Sequence, residues 1–137
     1  MTKSAILGQL LGLSNKNMPA FIGVYGDQSW GNKATIDSVL FKQMQHYPDL
    51  TIITGTTNKG VDRLVTYLVQ NEYRIPLHNH PFETVFTNFR LTCMILFCSD
   101  FRAESTRYMF NQTKLANVPR VWYTEHFKEV DERFHSI

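Results

Sequence analysis

The fold is decided by one stretch of the chain, residues Thr51–Leu64, with the sequence TIITGTTNKGVDRL. Its β-branched beginning predicts a short buried strand. A polar loop bounded by Gly55 and Gly60 follows, and the apolar positions after it predict a helix. Proteins of the α/β class use such a strand, loop and helix to present backbone N–H groups and a helix N-terminus to an anion. We therefore expect loop 55–60 to contact a ligand, although glycine and small polar residues are also what a turn alone requires.

This loop differs from the two common phosphate-binding loops. It lacks the Gly-Lys-Ser/Thr ending of a Walker loop and the Gly-x-Gly-x-x-Gly pattern of dinucleotide-binding proteins. Lys59 and Arg63 stand at the predicted helix start, where the helix dipole does not favour cations, which points either to a ligand anion or to solvent exposure. Asp62 is favoured by the dipole, and it either stabilises the helix N-terminus or accepts hydrogen bonds from ribose hydroxyls.

The length of 137 residues predicts one domain, residues 21–137, preceded by an N-terminal arm, residues 1–20. A net charge of +2 is too small to indicate nucleic-acid binding. Cys93 and Cys98 would face opposite sides of a strand, so we expect free buried thiols and no disulfide, as suits a reducing cytosol. We find no signal peptide and no apolar run long enough to cross a membrane, and therefore expect a cytoplasmic protein.

Strands and helices alternate along the chain. Strands are predicted at residues 21–25, 51–54, 75–78, 94–98 and 118–123. Helices are predicted after Asn32 as far as residues 46–48, over residues 61–71 and 106–117, and after Thr124 as a final helix carrying Phe127, Val130 and Phe134, while residues 81–88 are ambiguous. This alternation predicts a three-layer α/β/α sandwich around a mostly parallel sheet of about five strands. With the strand order 3-2-1-4-5, loops 26–32, 55–60 and 99–105 would converge on one crevice, where such sheets bind ligands.

Three motifs together resemble the SLOG superfamily, and they lie in residues 22–27, 53–64 and 97–100. This is a Rossmann-like group that includes the DprA/SMF proteins, the LOG (lysine-decarboxylase-like) nucleotide hydrolases and small YspA-like proteins. The resemblance covers about residues 21–123, and its central motif is similar to the family's strand, Ser/Thr-Gly-Gly-Ala, x, Gly-x-Asp element. Thr56 stands where members often have a second glycine. Residues 100–107 keep only the Ser/Thr helix opening of the LOG phosphate loop, Pro-Gly-Gly-x-Gly-Thr-x-x-Glu.

The resemblance implies a Rossmann-like fold that binds a nucleotide or a nucleotide-derived small molecule. Because the LOG glycines are missing, we expect a sensor or sequestering domain without a cofactor. One alternative is a nucleotide or nucleoside N-glycosidase, a LOG-like phosphoribohydrolase, with Glu104 or Asp27 as the acid–base group. A second is a DprA-like binder of single-stranded nucleic acid, which the low net charge does not favour. A homodimer or higher oligomer is expected, because the arm and helix 106–117 supply apolar surface.

The expected ligand contacts lie on the three converging loops and before the fourth strand. They are Gly26, Asp27, Gln28, Ser29, Trp30, Gly55, Thr56, Thr57, Asn58, Lys59, Gly60, Asp62, Arg63, Asn88, Arg90, Ser99, Arg102, Ser105 and Thr106. Trp30 either stacks on a base or serves as a lid or interface residue. Arg102 and Arg107 either clamp a phosphate or form surface ion pairs. No metal site is expected at residues 78–81, because no third ligand has a suitable spacing beside the two histidines.

Overall fold

The computed structural model describes residues 18–125 and 128–129 and shows an α/β protein. In these residues the strands are β1 (Ala20–Gly26), β2 (Leu50–Thr54), β3 (Leu77–Asn79), β4 (Cys93–Phe97), β5 (Arg120–Thr124) and β6 (Lys128–Glu129). The helices are α1 (Lys33–His46), α2 (Gly60–Tyr67), α3 (Val85–Asn88) and α4 (Glu104–Leu115). Helix α2 continues as a π-helical segment, Leu68–Tyr73, and a 3₁₀ turn, Phe82–Thr84, leads into α3.

The described strands form one sheet in the order β3-β2-β1-β4-β5-β6. Strands β1 to β5 are parallel to their neighbours, and β6 pairs antiparallel with β5. The predicted order 3-2-1-4-5 is therefore confirmed. Strand β1 lies between β2 and β4. The strand order reverses there, because β2 and β3 are added on one side of β1 and β4 and β5 on its other side. This is the topological switch point at which open α/β sheets hold their ligands.

Two apolar cores pack against the two faces of the sheet, as the alternating direction of strand side chains requires. Ile52 and Ile95 face one core, in which they pack with α1 and α2. Ile53 and Met94, each one residue away in sequence, face the other core, which holds residues of α3 and α4. The three-layer α/β/α sandwich is thus confirmed. Cys93 and Cys98 are free, and burial raises the pKa of both thiols to about 12.

Helix α1 begins where its sequence predicts. The side chain of Asn32 accepts a hydrogen bond from the Thr35 backbone N–H at 3.2 Å, as expected of a capping residue. Its own amide donates to the Glu125 carbonyl at 2.7 Å, and the Thr35 hydroxyl donates to the same oxygen at 3.5 Å. The loop after β1 is therefore tied to the end of β5.

The prediction of a helix capped by Thr124 is wrong. Thr124 is the last residue of β5 and pairs antiparallel with Lys128 of β6. The capping signal is local, whereas strand pairing satisfies backbone groups of both segments. Phe127, Val130 and Phe134 of that predicted helix lie outside the described residues. So does the predicted arm, apart from its last three residues, of which Ala20 already begins β1.

Other differences from the predicted elements are small. Strand β3 begins at Leu77, two residues later than predicted, because Ile75 and Pro76 precede the paired segment. The ambiguous residues 81–88 form the 3₁₀ turn and α3. Among the described residues, no helix combines the length and apolar character needed to cross a membrane.

Candidate functional site

An open crevice of about 780 Å³ lies beyond the carboxyl ends of β1, β2 and β4. The three loops predicted to converge there, 26–32, 55–60 and 99–105, all contribute to its wall. Two further segments complete it: residues 81–83 and the first turns of α4. The predicted convergence of the three loops at the switch point is therefore what the structure has.

The loop after β2 is organised by a carboxylate of its own helix. Asp62 is 7% exposed, and its Oδ1 accepts hydrogen bonds from the Gly55 backbone N–H at 3.1 Å and the Thr54 hydroxyl at 3.4 Å. Its Oδ2 accepts from the Thr57 backbone N–H at 3.2 Å and the Thr57 hydroxyl at 2.7 Å. A carboxylate with several such donors is strongly held. Asp62 thus occupies the backbone N–H groups of Gly55 and Thr57, two of the donors that were expected to face an anion.

The N-terminus of α2 is also turned inward. The Val61 backbone N–H donates to the Asp27 carbonyl at 3.1 Å, which joins α2 to the loop after β1. Gly60 permits this approach, because its φ of +51° is unfavourable for other residues and a Cβ there would lie 2.1 Å from the Asp27 carbonyl oxygen. The expectation that loop 55–60 and the helix N-terminus after it present their N–H groups to a ligand is therefore corrected for Gly55 and Thr57 of the loop and for Val61 of α2. The loop meets the crevice through Gly55, Thr56 and Thr57.

Asp27 brings a carboxylate to the floor of the crevice, just beyond β1. Its Oδ2 accepts a hydrogen bond from the Ser99 backbone N–H at 2.7 Å. Burial raises the pKa of the Asp27 carboxyl, and the charges of Glu125 and Asp100 raise it further, while the hydrogen bond from Ser99 opposes the shift. The Ser99 hydroxyl donates to Glu125 Oε1 at 2.6 Å, so β1, β4 and β5 end in one polar network.

Replacement of Asp27 by asparagine is expected to raise the free energy of unfolding at pH 7. The carboxyl has a raised pKa in the folded state. It therefore binds its proton more tightly there than in the unfolded chain, where the pKa is about 3.9. Its contribution to stability is present at acid pH and is lost as the pH rises through the folded-state pKa. The asparagine side chain stays neutral, and its amide oxygen can still accept from Ser99. Urea denaturation at pH 7 and pH 4 measures the effect, and a variant that loses stability at pH 7 but not at pH 4 would contradict it.

An aromatic wall, formed by Tyr25, Phe82 and Tyr108, closes one side of the crevice. The rings of Tyr25 and Phe82 meet edge to face at 5.2 Å, and those of Phe82 and Tyr108 at 5.8 Å. Tyr25 is buried, its hydroxyl donates to the His80 carbonyl at 2.7 Å, and burial raises its pKa. Tyr108 is 44% exposed, so one ring of the wall is open to a ligand at the rim.

The described lining of the crevice is acidic. It contains the carboxylates of Asp27, Asp62, Glu83 and Asp100, and among the described residues no lysine, arginine or histidine lines it. The basic side chains of the neighbouring loops, those of Lys59, Arg63, Arg102 and Arg107, are exposed and lie outside the lining. In the described part of the chain, no group of three or more His, Cys, Asp or Glu side chains is arranged to hold a metal ion.

Comparison of the chain with known protein families, curated proteins and solved structures gave no significant match. Membership of the SLOG superfamily therefore stays a prediction.

Ten of the residues expected at the site lie in the crevice wall. They are Gly26, Asp27, Gln28, Ser29, Gly55, Thr56, Thr57, Asp62, Ser99 and Ser105. The others lie outside the lining: Trp30, Asn58, Lys59, Gly60, Arg63, Asn88, Arg90, Arg102, Glu104 and Thr106. Glu104, one of the two predicted acid–base groups, is exposed in the first turn of α4.

Three of the residues outside the lining have structural contacts of their own. Trp30 is 2% exposed and packs edge to face on Phe97 at 5.4 Å, so the expectation that it stacks on a base is corrected. Thr106 is 1% exposed, on the buried face of α4 with Met109 and Phe110. Asn88, at the end of α3, donates to the carbonyl of Thr84 in the preceding 3₁₀ turn at 2.9 Å.

The sequence did not identify the aromatic wall or the carboxylates of Glu83 and Asp100 as parts of the crevice lining. The missed lining residues are Tyr25, Pro81, Phe82, Glu83, Asp100, Ala103, Tyr108 and Met109. Tyr25 and Asp100 stand at ends of predicted strands, where position alone could have indicated them. Phe82 and Tyr108 are far apart in the sequence and are brought together only by the fold.

Proposed function

We propose that the chain is a binding domain for a nucleotide or a nucleotide-derived small molecule, held in the crevice beyond β1, β2 and β4. One observation carries the proposal: a crevice of about 780 Å³ at the switch point combines an open aromatic ring with a row of hydrogen-bonding groups. This volume lies within the range of small-molecule sites, roughly 300–1,000 Å³. An aromatic rim and polar floor match the two halves of a nucleoside, a flat base and a hydroxyl-bearing sugar.

The proposed division of roles follows from position. The exposed face of Tyr108 is available for stacking on a base, with Phe82 behind it. Asp27 and Asp100 supply carboxylate acceptors for ligand hydroxyls, and the Ser29 and Thr56 hydroxyls can both donate and accept. The acidic wall counts against the DprA-like alternative, since phosphate backbones are bound by Lys and Arg.

The N-glycosidase alternative is kept because of a single residue. Asp27 is a half-buried carboxyl with a raised pKa inside the crevice, and groups of this kind are used as general acids and bases. Glu104, which lies outside the lining, is a weaker candidate. Release of free base from a nucleoside or nucleotide by the intact protein, abolished in Asp27→Asn, would support catalysis over binding alone.

The proposal is tested first by native mass spectrometry of the freshly purified protein, followed by denaturation and analysis of released small molecules. An intact, stoichiometric nucleotide derivative is the expected result for a sequestering protein. If the protein is empty, calorimetric titration with nucleosides and nucleotides follows. The proposal fails if none of these compounds binds by either method.

Tyr108→Ala is expected to weaken binding of the ligand by roughly 5- to 150-fold, because loss of base stacking costs about 1–3 kcal/mol per base. Tyr67→Ala is the matched control: Tyr67 is 49% exposed on α2 and lies outside the crevice lining. Calorimetric titration of both variants measures the difference. Equal affinities in the two variants would remove Tyr108 from the site.

Homo-oligomerisation and a cytoplasmic location stay proposals of the same kind. Leu115, 79% exposed near the end of α4, is an apolar residue that a second copy could cover. Light scattering during size-exclusion chromatography gives the molecular mass of the assembly in solution.

A further inference from the structure

We infer that the crevice accepts a nucleoside in preference to its phosphorylated nucleotides. The inference rests on the proposed function and narrows its ligand class. Its basis is the charge of the described wall and the internal use of the groups that would otherwise hold a phosphate.

A ligand in the crevice would face mainly negatively charged side chains. Asp27, Glu83 and Asp100 line the crevice with Asp62, and among the described residues no basic side chain lines it. A phosphate group is negatively charged at neutral pH, and these carboxylates repel it in a partly desolvated space. Phosphate sites normally supply the opposite arrangement, with Arg, Lys or free backbone N–H groups turned to the anion.

In a fold of this type, the loop after β2 is a natural place for a phosphate. The backbone N–H groups of Gly55 and Thr57 are already bonded to the Asp62 carboxylate. The N–H of Val61 in the first turn of α2 is bonded to the Asp27 carbonyl. An incoming phosphate would have to displace a buried carboxylate of this chain, with no cation in the described wall to compensate.

The other helix N-terminus at the crevice is that of α4, which follows the loop containing Asp100. The Asp100 side chain accepts from the Arg102 backbone N–H at 2.9 Å, and its carbonyl accepts from the Ala103 N–H at 3.1 Å. Glu104 adds a further carboxylate in the first turn of α4. A carboxylate in the first turn interacts favourably with the helix dipole, so Glu104 offsets part of the positive end of α4.

The crevice wall favours ligands that donate hydrogen bonds. Ionised carboxylates only accept hydrogen bonds, so they select ligand groups that donate, such as ribose hydroxyls and exocyclic amines. A nucleoside supplies such donors without a negative charge, and its base can stack on the exposed Tyr108 ring. The chemistry of the wall therefore selects a neutral, donor-rich ligand.

The test compares each of four ribonucleosides with its 5′-mono- and 5′-triphosphate by calorimetric titration of the full chain at low ionic strength. For at least one base, we expect the nucleoside to bind at least 10-fold more tightly than its monophosphate, with no detectable binding of the triphosphate. Higher salt should narrow the first ratio, since it screens the repulsion. A monophosphate that binds as tightly as its nucleoside, or more tightly, overturns the inference and leaves the proposed function standing. Absence of binding by all twelve compounds overturns both.

A charge-neutralising variant checks the cause. Asp100→Asn should narrow the ratio of nucleoside to monophosphate affinity at least threefold, and Glu83→Gln provides a second carboxylate in case the first variant disturbs the loop. Asp49→Asn is the matched control, because it removes the same charge from an exposed position just before β2, at the opposite end of the strands. An equal ratio in both crevice variants and in the control would overturn the electrostatic basis.

Discussion

Gly26→Ala is expected to destabilise the fold by roughly 3–5 kcal/mol. A Cβ at this position would lie 2.0 Å from the Phe97 carbonyl oxygen, 2.8 Å from its carbonyl carbon and 2.9 Å from Val61 Cγ2. Gly26 and Phe97 are register partners of β1 and β4, and the Phe97 carbonyl accepts from the Asp27 N–H at 3.0 Å. The obstacle is backbone in the central ladder, so no side-chain rotation relieves it.

Gly31→Ala is the matched control for this substitution. Gly31 lies in the loop that follows β1, but a Cβ there meets nothing within 4 Å. Its variant should unfold within about 0.5 kcal/mol of the unmodified protein. Urea denaturation followed by tryptophan fluorescence measures both, with Trp30 and Trp122 as buried reporters. Similar unfolding midpoints for the two variants would contradict the close approach of β1 and β4 at the crevice floor.

Asp62→Asn is expected to lower the free energy of unfolding by roughly 2–4 kcal/mol. The carboxylate accepts backbone N–H groups on both oxygens, from Gly55 on one and from Thr57 on the other. An asparagine amide can replace only one oxygen acceptor, because its NH₂ group would point at a backbone donor. One buried donor then loses its partner, and loop 55–57 loses its anchor. For a domain of this size the melting temperature should fall by roughly 10 °C.

The control for Asp62 is again Asp49→Asn, which removes one negative charge from an exposed position. We expect its effect to stay within about 0.5 kcal/mol. Calorimetric melting of both variants, run at pH 7 and two salt concentrations, separates hydrogen bonding from general charge effects. If the two variants melt at the same temperature, the assignment of Asp62 as the organiser of the loop is wrong.

The parts of the fold that sequence could predict are those fixed by periodicity. The β-branched run at residues 51–54, the apolar run at residues 94–98 and the helical spacing after Gly60 led to the correct order of elements, and the strand order expected of a doubly wound sheet is the one observed. What failed near the C-terminus was a local signal. Thr124 has the chemistry of a helix cap, but its backbone is paired with β6.

The sequence predicted where the candidate site lies, but it did not predict the contacts among the residues that form it. Sequence alone identified the donors of loop 55–57 and the acidic group of Asp62, yet it could not say that one satisfies the other across seven residues. The aromatic wall could not be predicted from the sequence for a different reason. Phe82 and Tyr108 lie on separate segments 26 residues apart, and only the packing of α4 beside the 3₁₀ turn brings their rings together.

The position of β1 between β2 and β4 gives its two pairings very different separations along the chain. The pairing of β1 with β2 joins segments about 30 residues apart, whereas Phe21 and Thr92, bonded at the start of the β1–β4 ladder, are separated by 71 residues. The longer loop costs more entropy to close and contributes its contacts late. During synthesis, β1, β2 and β3 emerge and can pair before β4 exists. Because the crevice is lined by residues that follow β1, β2 and β4, it is complete only when the second half of the chain has packed against the first.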